Sequence, residues 1–294
     1  MKYVAELEKA LQELPGLAEK ILPLARPAVI LEKQFESFQV DRKPLLGLFK
    51  QRPQIKRRGL PVSPSCSRLG GLPDLPEGAT WPERDGKPMQ FVAKINCAEL
   101  AEFRGHTQLP ADGVLQFFFE EDGVESSVVF TAVGMPLQTS PAPSGCSAKF
   151  VLPQFPVTFS SIPTFPHAET KQFEKLGLSE EAAELLLNAQ GELAAMIRAE
   201  QHGLHQIGGY PEAIQGDVFT ECEMIDSKKF PTAKAKDWAL AAERAHSWRL
   251  LLQFDTDGDL EVMWGDAGMI YFCIREADLQ AGRFEKVVST GQCG

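Results

Sequence analysis

The chain has 294 residues, 44% of them hydrophobic and 24% charged, which is ample to bury a core and excludes global disorder. Its formal net charge of -10, with a pI near 5.1, excludes a sequence-independent nucleic-acid binder, because such binding needs clustered Lys and Arg to neutralise phosphates. Glu6, Glu8 and Glu13 break up the N-terminal leucines, so no signal-peptide core forms, and no run approaches the roughly 18 apolar residues of a membrane helix.

The expectation is a cytoplasmic protein without a membrane partner, a monomer or small homo-oligomer. The six cysteines, at 66, 97, 146, 222, 273 and 293, form no CxxC and read as reduced thiols instead of a disulfide framework.

In chain order, Leu7, Leu11 and Leu14 lie on one face of a helix over residues 4–14, and Leu17, Ile21 and Leu24 resume the period after Pro15-Gly16. Arg26-Pro27 stops that second helix, since a residue before proline is pushed out of the α region. Residues 28–31 then read as a strand. Helices this short need tertiary contacts, so residues 1–60 are expected to be an appendage on the main body. A proline-rich extended connector over residues 51–66 follows, and its basic cluster Lys56-Arg57-Arg58 reads as a solvated face.

Next comes Leu69-Gly70-Gly71-Leu72-Pro73, echoed later by Ile207-Gly208-Gly209-Tyr210-Pro211. Two glycines before a φ-locked proline describe a sharp turn or a close approach. Pro73, Pro76, Gly78, Pro82, Gly86 and Pro88 make a long ordered loop that holds Trp81. Residues 89–95 read as a buried strand, and Asn96 with Glu99 as a capping-box start to a short helix reaching Phe103. Residues 114–119 are an aromatic strand; Phe117, Phe118 and Phe119 put apolar groups on both faces, so it should be covered on both sides. Glu120-Glu121-Asp122-Gly123 closes a hairpin into residues 126–132.

Prolines crowd residues 134–166 and mark the seam between a first half, 61–160, and a second, 161–294. Ser179, followed by Glu180 and Glu181, opens a helix with Leu186, Leu193 and Ile197 on one side; Asn188 and Gly191 are its expected breaks and Gly203 its stop. Residues 237–246 form a helix and 248–254 a strand. The acidic turn Asp255-Thr256-Asp257-Gly258-Asp259 leads to strands at 260–264 and 269–274, then a short helix at 277–281 and a strand at 284–288. The class is α+β, with mixed, largely antiparallel sheets and packed helices.

GVLQFFFE (113–120) resembles GMIYFCIR (268–275), and FVAKINCAEL (91–100) resembles YFCIREADL (271–279). The two matches do not fit one register, yet with the paired glycines they favour an internal duplication of two half-domains.

Motif chemistry is sparse. His202-x-x-His205 lacks the glutamate of a zinc-protease helix and a third ligand at fixed spacing, so no metal is assigned. Asp255, Asp257 and Asp259 with Glu261 echo a calcium loop, but Leu260 stands where that loop needs Gly; a turn explains the same residues. Gly70-Gly71 is no phosphate loop, and no cofactor is expected. The better case is a pocket with a few convergent polar groups. Its candidates are Gly70, Gly71, Gly208 and Gly209 themselves, Gln206, Gln215 and Asp217 beside the second unit, Trp81 in the long loop, and Trp264 with Asp266 on one turn. Loop side chains of this kind also serve to satisfy unpaired backbone. Two functions follow: a binding or interaction module, with an unknown protein or a small molecule as partner, or a hydrolase using Asp217, Asp266 or Glu212 with a bound water.

LGGLPDLPEGATWP, FVAKINCAEL, LPADGVLQFFF, HQIGGYPEAIQGD, LLLQFDTDGD, WGDAGMIYFCIREADL and the closing QC, in that order from about residue 65 onward, together resemble the YwqG-like family, a mainly bacterial domain of unknown function. The resemblance implies an α+β fold and supplies no reaction, cofactor or catalytic residue.

Overall fold

The structure, a computed structural model, describes residues 16–40, 54–120, 125–230 and 232–294. The helix expected at 4–14 and the tip of the hairpin at 121–123 lie outside them. The strands are β1 (Arg26–Lys33), β2 (Phe35–Val40), β3 (Gln54–Gly59), β4 (Arg68–Leu69), β5 (Asp74–Pro76), β6 (Glu83–Arg84), β7 (Lys87–Pro88), β8 (Gln90–Asn96), β9 (Val114–Phe119), β10 (Ser126–Thr131), β11 (Leu137–Thr139), β12 (Phe155–Thr164), β13 (Gln206–Gly208), β14 (Trp248–Asp255), β15 (Met269–Arg275) and β16 (Val288–Gln292). Ten of them form one sheet in the order β10-β9-β8-β4-β12-β1-β13-β14-β15-β16. Its pairings are antiparallel throughout. With the helices packed on it, the fold is α+β, as expected.

Outward from the central β12–β1 pair, the flanks run β4-β8-β9-β10 and β13-β14-β15-β16. Each flank begins on the strand that leads into a Gly-Gly unit. Of the two sequence matches, GVLQFFFE with GMIYFCIR joins strands at the same flank position, β9 and β15; the other does not.

Side chains alternate along each strand, so every strand has an inner and an outer set. Leu115, Phe117 and Phe119 of β9 share one buried core with Phe254 of β14 and Ile270, Phe272 and Ile274 of β15. The ring centroids of Phe117 and Phe272 are 5.3 Å apart, although their strands stand in opposite flanks of the sheet. The sheet is therefore curled until its flanks meet. The outer sets are covered too. Ala28 and Ile30 of β1 pack beneath Leu193, Ala194 and Ile197 of the long helix Glu180–Gln201. Trp248, Leu250, Tyr271 and Cys273 lie against the helix Val218–Asp226, and Phe91 and Phe118 against the loop holding Trp81. The aromatic strand is thus covered on both faces, as its three phenylalanines require.

Several expectations meet a different arrangement. Residues 28–31, read into an appendage, belong to a central strand; the unbroken run Ala28-Val29-Ile30-Leu31 is what burial on both faces selects. The prolines of the expected seam did not prevent β12 from crossing the sheet centre. Pro163 opposes Pro27 of β1, so two residues without an N–H face each other, and the Pro156 carbonyl accepts Gln34 N at 2.8 Å. The connector contains β3, which pairs with β2; there Arg57 stacks 4.3 Å over Phe35 and Arg58 pairs with Glu36. The long helix runs through Asn188 and Gly191 unbroken and stops on His202 (φ 60°), one residue before Gly203. Asn96 caps its short helix, but Glu99 reaches Ser67 N at 2.8 Å, so no capping box closes. No strand forms at 260–264 beyond a single bridge, Asp257 to Val262, because Asp257 Oδ1 takes the N–H groups of Asp259 and Leu260 and winds the turn. Residues 284–286 are helical, and the closing strand is β16. All six cysteines are free thiols.

Candidate functional site

The two Gly-Gly-X-Pro loops are built by the same construction from different residues. In the first flank, Arg68, Lys94 and Gln116 stand side by side across β4, β8 and β9. Arg68 donates to Leu72 O at 2.6 Å and Asp74 Oδ2 at 2.7 Å, Lys94 to Asp74 Oδ2 at 2.7 Å. Gln116 accepts from Asp74 N at 2.7 Å and donates to Asp74 O at 2.5 Å. In the second flank, Gln206, Gln253 and Tyr271 hold the matching positions across β13, β14 and β15. Gln206 donates to Tyr210 O at 2.8 Å, Gln253 accepts from Glu212 N at 2.9 Å, and Tyr271 donates to Glu212 O at 2.7 Å. A row of buried polar side chains thus takes up backbone groups of each loop where it leaves the main sheet.

The glycines answer to the same geometry. Gly70 and Gly71 have φ of 65° and 80°, and their N–H groups reach Val92 O and Leu152 O at 2.8 and 3.0 Å. A Cβ on Gly70 would stand 2.0 Å from Pro153 O, and one on Gly209 2.5 Å from Thr164 Oγ1. Gly208 approaches His106 O in the same way. Their freedom is spent on contacts within the chain itself.

The loops differ in what their carboxylates face. Asp74 is buried; desolvation pushes its carboxyl up, but Lys94, Thr139 and Arg68 outweigh this and hold it below the usual range. The first loop is closed. In the second, Glu212 is one-third exposed and paired bidentately with Arg198 at 3.0 and 2.7 Å. Burial pushes Glu212 up, Arg198 opposes, and the like charge of Asp255, held by the same guanidinium, adds to the rise. Glu212 opens onto a cavity of about 240 Å³ between the long helix, the end of β12 and Tyr210-Pro211. Ile162, Phe165, Leu193 and Ile197 make it apolar; Gln190 and His167 add polar atoms.

The other expected site residues are dispersed. Trp81 donates to Met89 O at 2.8 Å and packs on Phe118 and Phe150. Gln215 is exposed and donates to Cys293 O at 2.8 Å. Asp217 caps the helix Val218–Asp226 through Thr220 N at 3.1 Å. Trp264 wedges between Phe119 and Phe254 at the inner core. Asp266 is exposed on its turn, and its carbonyl accepts Gly294 N at 3.0 Å. Of the carboxylates considered for hydrolysis, Glu212 lines this cavity, Asp217 lines another, and Asp266 lines neither.

The structure also brings together two motifs that were read separately. His205 of the HxxH pair and the acidic turn converge on Lys33, with Lys33, His205 and Asp257 wholly buried. The Lys33 ammonium bonds Asp257 and, at 2.8 Å, Asp259. His205 Nδ1 accepts from Asp255 N at 3.2 Å, so its Nε2 carries the proton donated to Asp257 at 2.9 Å. Burial pushes Asp257 up, but His205 and Lys33 bring it down to about 2. A lysine supplies the cation of this cluster, and among the described residues no group of His, Cys, Asp and Glu fits a metal ion. Arg198, Gln253, Tyr271 and Lys33 were missed in the sequence because their signal is a polar residue within an apolar strand or helix face, meaningful only once the strands are side by side.

Residues 67–293 match the family described as Domain of unknown function (DUF1963). The chain belongs to that family. The DUF1963 region takes in both Gly-Gly loops and nine of the ten sheet strands, while β1, which completes the sheet centre, precedes it. No curated protein matches the chain. Among the described residues no helix is long and apolar enough to cross a membrane.

Proposed function

We propose that this protein is a binding module whose recognition site is the second Gly-Gly-X-Pro loop, taking a small, largely apolar ligand or an apolar side chain of a peptide. The observation that carries the reading is the contrast between the loops: the first is sealed by its own ion pairs, the second opens Tyr210-Pro211-Glu212 onto a preformed apolar cavity. Glu212 and Arg198 at its edge supply polar orientation. The YwqG-like resemblance agrees with the DUF1963 membership and stays part of this reading, as does an internal duplication, supported by the flank order and the matching polar rows.

The test uses Gly191, which lines the cavity from a mid-helix position where an added Cβ meets nothing within 4 Å. Gly191→Phe should leave the fold intact and place a ring at the cavity. In a thermal-shift screen of apolar and amphipathic metabolites, hits on the wild type should weaken at least tenfold in Gly191→Phe. Hits that bind both proteins equally, or a screen without hits, count against the reading. A hydrolytic alternative rests on the raised carboxyl of Glu212 in this cavity; turnover of ester or amide probes that Glu212→Gln abolishes would favour it.

A further inference from the structure

Tyr210 has a second face. Opposite the apolar cavity it lines another, of about 390 Å³, whose wall carries Arg26, Lys171, Lys175 and His246 together with Asp217 and Glu243. Arg26 lies at the start of β1 with its guanidinium stacked 4.4 Å over the Tyr210 ring, and the phenol is held in turn by Gln172 at 2.8 Å. The guanidinium is short of acceptors: its Nη1 is enclosed with no hydrogen-bond partner among the described residues. Its acidic neighbour Glu276 is engaged by Arg249 at 2.7 Å. An enclosed cationic donor without an acceptor is unfavourable; Arg68 Nε shares that state inside the closed first loop, whereas Arg26 Nη1 belongs to a residue that lines a cavity.

The remaining charges sort by engagement. Asp217 is consumed by its helix cap, with both Thr220 N and Thr220 Oγ1 on Oδ2. Lys171 pairs with Glu174 at the solvent edge, and Glu243 is exposed. Lys175 is exposed and forms no ion pair among the described residues. Arg26, Lys171 and Lys175 outnumber the carboxylates Asp217 and Glu243 along this wall, which leaves it an excess of positive charge in a chain whose net charge is -10.

We propose that this cavity binds a small oxyanion, a phosphate or carboxylate group of a metabolite, with the half-buried Arg26 as the inner anchor and Lys175 as the outer cation. Burial, which lowers the Arg26 pKa against Tyr210 and Glu276, adds to the preference for an anionic partner. The site does not depend on the apolar cavity: Tyr210 separates the two, and the residues that anchor the anion line only this one.

The full chain is titrated with inorganic phosphate and, separately, with acetate and citrate, at ionic strength held constant with sodium chloride. Thermal midpoint and the Arg26 side-chain Nε–H resonance are read together. The expected result is a saturable midpoint rise and a shifted Arg26 resonance with phosphate or a carboxylate, beyond any chloride effect; which anion acts separates the two ligand sources. Affinity should fall at least tenfold in Arg26→Gln and severalfold in Lys175→Gln. The second variant changes an exposed side chain, so it reports even where loss of Arg26 harms folding. No anion effect beyond chloride, or affinity unchanged in Lys175→Gln, overturns the proposal.

Discussion

Replacing Asp257 by Asn keeps the side chain's shape and the Oδ1 acceptor that winds its turn, and changes only the atom facing Lys33 and His205. In the wild type that atom is a carboxylate oxygen shared by two donors in a fully buried cluster. In Asp257→Asn an NH₂ group would meet the Lys33 ammonium and the His205 Nε2–H, donors against donors, and Lys33 would keep only Asp259 and the more distant charge balance of the turn. Removing one partner of a buried pair costs about 3–5 kcal/mol. For a chain of this size that is a fall in Tm of about 5–8 °C at pH 7. The acid limb gives an independent reading. Asp257 titrates near 2 in the folded protein against an ordinary 3.8, so its ionised form contributes about 2 kcal/mol of stability. The folded pKa is the lower one, so this contribution is complete above pH 3.8 and is lost as the pH falls through about 2. Calorimetric melts of both proteins from pH 7 down to pH 2 should show the variant less stable at neutral pH and with a shallower acid decline. A variant within 1 kcal/mol of wild type at pH 7, or one with an unchanged acid slope, would refute the reasoning.

Glycine substitutions should split by environment. Gly70→Ala forces a Cβ onto Pro153 O at positive φ and should cost about 2–5 kcal/mol in denaturant unfolding. Gly191→Ala adds a Cβ in open space mid-helix and should stabilise by about 0.5–1 kcal/mol. Tyr271→Phe removes the donor to Glu212 O and should cost about 1–3 kcal/mol, with faster amide exchange confined to the second Gly-Gly loop; unchanged exchange there would show that the polar row does not hold it. Cys97 is buried with its thiol pushed up to about 12, so at pH 8 mass mapping should find it unalkylated by iodoacetamide in the native protein while the half-exposed Cys146 and Cys293 react.

Local chemistry carried much of the strand reading. Residues 89–95, 114–119, 248–254 and 269–274 are apolar runs between turn formers, and each became a strand of the main sheet. Ser179 was legible as a helix start because its hydroxyl has a single use there, the Ala182 N–H. Other signals were outweighed by packing. Gly191 costs only about 1 kcal/mol in a helix, less than the burial of Leu193 and Ile197 returns, so the helix continues. Pro156 and Pro163 read as a seam because proline cannot donate, yet in β12 they occupy places where no donor is required.

What the sequence by itself determined is the class and the turns: Gly-Gly-X-Pro demands a left-handed backbone whatever surrounds it, and both copies have it. Which neighbour presses on those glycines was decided by tertiary structure alone, because Pro153, Gln154, Thr164 and His106 arrive from distant parts of the chain. The same holds for the site. Nothing local distinguishes Asp74 from Glu212, each three residues beyond its second glycine. Sheet neighbours Arg68 and Lys94 bury and neutralise the one, while Gln253 and Tyr271 hold only the backbone of the other and leave its carboxylate to Arg198 and the cavity.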